Sequence, residues 1–115
     1  MTSRDEKFLK RGEVYWVNLD PTIGSEITKT RPAVIISNDI QNELSSRVIV
    51  MPITSNIDRI LKFEVKVSLN NKPGKAMSDQ IRTIDKLRIR ERISSLTEAE
   101  IANIDAALKK VLSLE

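Results

Sequence analysis

The sequence predicts a mainly β chain of the α+β class: a strongly curved antiparallel sheet or small barrel with short helices, finished by one C-terminal helix. Three observations predict it. Five or six short segments carry strand patterning at close spacing. A single long stretch, at the C-terminal end, carries a helical period. The 115 residues suit one compact domain with one real core. No internal repeat, low-complexity stretch or linker divides them. Residues 1–10 read as a flexible polar lead-in and 11–115 as the domain.

Residues 12–19 form the first strand, with Val14 and Trp16 on one face and Tyr15, Val17 and Leu19 on the other. Asp20-Pro21 ends it, and a polar loop with Gly24 and Ser25 follows. Residues 33–37 are a continuous apolar run, a buried strand with Pro32 at its start, where a missing N–H is tolerated. Asn38-Asp39 signals a turn or cap before a short helical turn over 40–46. Residues 47–53 make another central strand, apolar on both faces, and 54–61 a polar loop. Residues 62–68 alternate cleanly, with Phe63, Val65 and Val67 inward. Asn70-Asn71 and Pro73-Gly74 mark a turn segment over 69–75. A further strand spans 76–84, and a short strand or turn spans 88–94. Thr97 and Glu100 have capping-box spacing, and Leu96 can staple against Ile101. Ile101, Ile104, Leu108, Val111 and Leu112 then share one helix face suited to covering a sheet.

Composition removes several functions. No run approaches the ~20 apolar residues of a membrane span, and residues 1–10 do not read as a secretory signal, so the expected location is the cytoplasm. There is no cysteine, hence no disulfide, thiolate nucleophile or thiolate ligand. There is no histidine, the usual acid–base group near neutrality and the commonest metal ligand, so zinc sites are effectively excluded. Asp39, Glu43 and Asp58 have no recognised ligand spacing for magnesium. P-loop, dinucleotide and zincin motifs are missing. The net charge is only +3, but residues 72–92 hold seven basic and three acidic side chains. A local basic surface is compatible with a polyanion, but charge alone favours an ordinary solvated face.

What remains is a set of polar residues at strand ends. Ser25 and Glu26 precede Arg31, which opens a buried strand; Asn38 closes it. Thr54 and Ser55 follow the next central strand, and Gln80, Arg82 and Thr83 lie along a later one. Rigid strands presenting polar loop groups are a common way to build a site. Each also has a bland reading. Arg31 can pair with Glu26 or Glu43, Thr54 and Ser55 can start a turn, Asn38 can cap a helix, and Arg82 can point outward.

Taken in order, these segments resemble a known family. The likeness begins with Arg11-Gly12-Glu13-Val14-Tyr15-Trp16 and Asn18-Leu19-Asp20-Pro21. It continues through Gly24-Ser25-Glu26, then Arg31-Pro32-Ala33-Val34-Ile35-Ile36-Ser37-Asn38-Asp39. Val50-Met51-Pro52-Ile53-Thr54-Ser55 comes next, followed by Asp79-Gln80-Ile81-Arg82-Thr83-Ile84-Asp85-Lys86 and the final helix. Over residues 11–112 the chain resembles the MazF/PemK/Kid toxin endoribonucleases. That resemblance implies an SH3-like antiparallel barrel, a homodimer, and cleavage of single-stranded RNA at short sequences with no metal or other cofactor. It implies 2′,3′-cyclic phosphate and 5′-hydroxyl products, and an antitoxin partner with a largely acidic segment. The family's catalytic arginine before proline and its threonine or serine after the next long strand match Arg31 and Thr54. Ser25, Glu26, Pro32, Asn38, Ser55, Gln80, Arg82, Thr83 and Lys86 match positions near its RNA groove. Many members have a glycine pair between Glu26 and the arginine. Here the segment is Ile27-Thr28-Lys29-Thr30, a stiffer and more basic loop that could change sequence preference or gating.

In such a reaction the RNA's own 2′-OH attacks phosphorus, so the protein supplies no nucleophile. Arg31 suits the charge that builds on the phosphorane oxygens, with five N–H donors and a permanent charge. Glu26 is a candidate proton acceptor if its loop folds over the site. Gln80 and Asn38 are candidates for base edges, Arg82 and Lys86 for phosphates. Aromatics are only 3% of residues, so stacking platforms are scarce. Two other readings stay open: a non-catalytic relative that poisons gyrase, and a plain RNA-binding module. The gyrase-poison relatives depend on an aromatic C-terminus, whereas this chain ends Val111-Leu112-Ser113-Leu114-Glu115.

Overall fold

The computed structural model describes residues 8–27 and 29–114. Residues 1–7 of the expected lead-in and Thr28 of the expected loop lie outside them. The chain runs β1 (Glu13–Asn18), β2 (Thr30–Ile35), α1 (Asp39–Leu44), β3 (Arg47–Thr54), β4 (Glu64–Leu69), β5 (Lys72–Met77), β6 (Arg82–Asp85), β7 (Ile89–Ser95) and α2 (Glu98–Val111). Single 3₁₀ turns occupy Ser78–Gln80 and Lys86–Arg88. All pairings are antiparallel, in the order β4-β5-β3-β2-β1-β7 with β6 added on β3. The result is the curled half-barrel that the closely spaced strands predict.

The sheet buries both faces, which explains its continuous apolar runs. Tyr15, Val17, Ala33, Ile35, Val48, Val50 and Ile84 pack on one face. Val14, Val34, Met51, Ile53, Val65, Val67 and Ala76 pack on the other, under Leu96, Ile104 and Ala107 of the C-terminal segment. The alternation read for β1 holds. Leu9 also enters the first cluster at 4% exposure, so the described end of the lead-in is part of the core. α2 starts where expected: the Thr97 side chain accepts from the Glu100 N–H, and Glu100 accepts from the Thr97 N–H.

Three expected elements differ. The turn expected over 69–75 is only Asn70-Asn71, both at positive φ (50° and 71°), which suits a two-residue hairpin. Pro73 and Gly74 are inside β5. A Cβ on Gly74 would sit 3.1 Å from the Thr54 carbonyl oxygen, so glycine there serves close strand packing instead of a turn. The expected strand over 76–84 is broken into β5 and β6 by the turn at Ser78–Gln80. The buried Ser78 hydroxyl donates to the Phe63 carbonyl and bends the chain there. The β2 strand also starts earlier than expected, at Thr30, and takes in Pro32. Pairing with β3 begins only at Ala33, so the missing N–H of Pro32 falls where that neighbour is not yet engaged.

A knot at Arg11 and Gly12 ties the helices to the sheet. The Arg11 N–H donates to Asp39 Oδ1 at 2.8 Å, its Nε to the Ile36 carbonyl at 2.7 Å, and its Nη2 to Asp105 at 2.6 Å. Gly12 has φ of 94°, and a Cβ there would lie 2.6 Å from Ile101 Cδ1. Gly12→Ala should therefore lower unfolding stability by about 1–3 kcal/mol, from backbone strain plus overpacking. Urea denaturation measures it; an unchanged midpoint would show that α2 yields freely.

Candidate active site

β2 and β3 pair from Ile35–Val50 to Ala33–Pro52, and their pairing stops there. Arg31 lies two residues before Ala33 on β2, and Thr54 lies two residues after Pro52 on β3, where that pairing has stopped. Both line one open cavity of about 590 Å³, together with Pro32 and Ser55. Strand register thus joins two residues 23 positions apart in the chain. Arg31 is half-buried and paired across to Val17 on β1. Thr54 is also half-buried, and its Oγ1 accepts the Asn56 N–H at 3.2 Å. An oxygen occupied as acceptor leaves the hydroxyl proton available for donation outward.

Behind Thr54, its β5 neighbour Lys75 anchors the following loop. Lys75 Nζ lies 2.9 Å from Glu64 Oε1 and donates to the Arg59 carbonyl at 2.6 Å. Both side chains of this ion pair are largely buried, so the segment after the candidate threonine is held by a desolvated contact.

The cavity also contains residues that sequence reasoning did not place there: Trp16, Asn70, Lys72 and Arg92. Trp16 is 41% exposed beside Pro32, its β2 partner, so an aromatic surface is present after all. Its alternation with Val14 gave its face but not its position at the open end of the sheet. Lys72 and Arg92 belong to the basic stretch over 72–92. Only the curling of β4–β5 and β7 toward β2 brings them beside Arg31. Among the described residues, three cations and no carboxylate line the cavity, an arrangement receptive to anions.

Ser25, Glu26, Gln80 and Arg82 lie together in a second recess, of about 450 Å³, with Asp79. Glu26 Oε1 accepts the Ile23 N–H at 2.7 Å, and Gln80 Oε1 accepts the Ile27 N–H at 3.0 Å. Arg82 Nη1 donates to the Leu19 carbonyl at 2.9 Å. Arg88, also unexpected, donates to the Asn18 carbonyl at 3.0 Å and to the Asp20 carbonyl. Asp20 Oδ1 accepts the Lys29 N–H at 2.9 Å. The β1–β2 loop before Arg31 is therefore pinned from β6 and from the turn before β7. Asn38, Thr83 and Lys86 line neither recess. Asn38 caps α1 by accepting the Gln41 N–H at 2.8 Å, Thr83 is exposed opposite Ile49, and the Lys86 N–H donates to Ser46. Among the described residues no three Asp or Glu side chains gather as a metal-ligand group.

The model of the PemK-like, MazF-like toxin of type II toxin–antitoxin systems matches residues 10–112. The chain belongs to the PemK/MazF toxin family. Endoribonuclease MazF9 of Mycobacterium tuberculosis is 39% identical over 115 aligned residues, covering 92% of this chain and 98% of that protein. Endoribonuclease MazF of Staphylococcus epidermidis is 38% identical, covering 92% of each. Among solved structures, MazF from Deinococcus radiodurans superposes with a TM-score of 0.85 at 23% identity, covering 95% of this chain and all of that one. A mycobacterial endoribonuclease solved with its cognate antitoxin gives 0.77, also at 23% identity, over 95% and 97% of the two chains. These structures share the PemK/MazF half-barrel. No helix of the described residues is long and apolar enough to cross a membrane.

Arg88→Ala should free the β1–β2 loop, since each charge-assisted bond to a carbonyl contributes about 1.5–3 kcal/mol. The expected readout is faster amide exchange and proteolytic nicking over residues 19–29 with the rest protected. Uniform loss of protection instead would show that Arg88 supports the whole sheet.

Proposed function

We propose that this endoribonuclease of the PemK/MazF family cuts single-stranded RNA at short sequences without a metal, using Arg31 and Thr54. The observation that carries the reading is the presence of both residues in one cation-lined cavity with no carboxylate among its described lining. The substrate's 2′-oxygen attacks the adjacent phosphorus as its proton leaves. The bond from phosphorus to the 5′-oxygen breaks, and that oxygen takes up a proton. The products are a 2′,3′-cyclic phosphate and a 5′-hydroxyl. Arg31 stabilises the charge on the phosphorane oxygens, and Thr54 donates one further hydrogen bond to the phosphate or leaving oxygen. Glu26 lines the second recess, so the main lever is charge stabilisation and not a strong base. Glu26 serves as proton acceptor only when its loop folds over Arg31.

RNA extends from this cavity toward the second recess. There Ser25, Glu26, Gln80 and Arg82 meet it, with Pro32 and Ser55 beside the cut. Asn38, Thr83 and Lys86 contribute from the β3–β6 side if the RNA track continues that far. The toxin acts in the cytoplasm as a homodimer. Its antitoxin lays an acidic C-terminal segment over the same cations, for the same electrostatic reason that RNA binds there.

Incubation with a long RNA in excess EDTA, followed by mapping of new 5′ ends, tests this. Cutting at a recurring short sequence is expected. Arg31→Ala should lower kcat at least about 10²–10³-fold and Thr54→Val about 10²-fold, both with unchanged melting curves. A folded Arg31→Ala protein that cuts normally, or loss of cutting in EDTA, would overturn the assignment. RNA bound without new ends would leave a binding module.

A further inference from the structure

Arg92 is a cavity cation held by two side-chain contacts. It stands on β7 opposite Tyr15 of β1 and lines the same cavity as Arg31. Its Nε lies 3.4 Å from Glu13 Oε2, and its Nη2 donates to Ser95 Oγ at 2.6 Å. Glu13 is fixed in turn. Its Oε1 accepts the Lys10 backbone N–H at 2.9 Å and the Tyr15 hydroxyl at 3.0 Å. Burial, then the hydrogen bond to Glu13, pushes the Tyr15 hydroxyl up to about 12, so it remains a donor to Glu13 near neutral pH. The Arg92 side chain is still half-exposed.

An exposed ion pair of this kind adds little to stability, about 0–1 kcal/mol. Its effect is to hold a guanidinium in one place, with its second terminal nitrogen engaged by neither contact. A prefixed guanidinium loses little freedom on meeting an anion and matches phosphate geometry. Single-stranded RNA presents a phosphate at every nucleotide, so the backbone on either side of the cut carries charge into the cavity. Arg31 is already committed to the reacting phosphorus, and the cavity volume is ample for more than one phosphate.

We propose that Arg92 binds a phosphate adjacent to the scissile one, and that Glu13 is the positioning residue that holds its guanidinium there. The inference rests on the RNA-cleaving reading above. It gives Glu13, whose Oε1 already ties Lys10 and Tyr15, a second role through its Oε2.

The test uses a short RNA carrying one mapped cut site, and versions of it with a single uncharged methylphosphonate linkage at each neighbouring position. For Arg92→Ala, KM should rise about tenfold while kcat stays within about threefold, the signature of a lost charge-assisted contact outside the reacting atoms. Binding to the same strand with a 2′-deoxy cut nucleotide should lose about 0.7 from its log–log salt slope, one single-strand phosphate contact. One neutral linkage should weaken wild-type cleavage yet leave Arg92→Ala unaffected. Glu13→Gln should raise KM in the wild-type background and not in the Arg92→Ala background, a coupling that mere loss of stability would not produce. Arg92→Lys, which keeps the charge without the fork, should fall between. An unchanged KM and salt slope for Arg92→Ala, with RNA still cut, would overturn this inference alone. No cleavage by the wild-type protein would overturn the RNA reading and the inference with it.

Discussion

β3 is hydrogen-bonded to β2 along one edge and to both β6 and β5 along the other. Among the described residues no other strand serves three partners, so it sets the curvature of the sheet. Val48 and Val50 are buried on one face, Met51 and Ile53 on the other. Between the two pairings on its second edge the register shifts by three residues, the length of the turn at Ser78–Gln80. That shift lets one edge of a single strand support two strands that diverge. A straight partner would have paired along the whole of β3 and flattened the sheet.

The site follows from this bend. β2 leaves β3 after Ala33–Pro52, and Thr54 then pairs with Lys75 of β5. Arg31 and Thr54 both line the opening, with Ile53, Leu69 and Ile93 among its apolar lining. Electrostatics is local here. A chain of net charge +3 places Arg31, Lys72 and Arg92 around one cavity, with no carboxylate among the described lining residues. Nearby acids are engaged elsewhere: Glu64 with Lys75, Glu13 with Arg92, and Asp20 with the Lys29 backbone. Buried or well-fixed ion pairs are thus spent on holding loops and cations in place, where geometry matters more than net stabilisation.

Much of the fold was legible because its signals are local. β1, β3 and β4 follow from alternation or apolar runs, and α2 from its capping box, each decided by neighbours in sequence. The strand expected over 76–84 failed because Ser78 answers to the Phe63 carbonyl, a partner 15 residues away. Pro73-Gly74 looked like a turn because composition cannot report that Gly74 packs against Thr54. In the site, Arg31 and Thr54 were identified by motif order; Lys72 and Arg92 were visible only as members of a basic stretch, and Trp16 and Asn70 had no local signal of a site. Gln80 and Arg82 were identified as polar strand residues, but their hold on the β1–β2 loop depends on contacts 53 and 63 residues away.

The sequence by itself determined the class of the chain, the start of its C-terminal helix, the two-faced character of its central strands, and a set of side chains without imidazole or thiol. Those properties depend on residue type and on spacings of a few positions. Only the tertiary structure decided that Arg31 and Thr54 share a cavity, that Glu26 lines a different one, and that Arg92 joins the first. Strand register and sheet curl set those distances, and both are fixed by hydrogen bonds between segments whose separation along the chain carries no local signature.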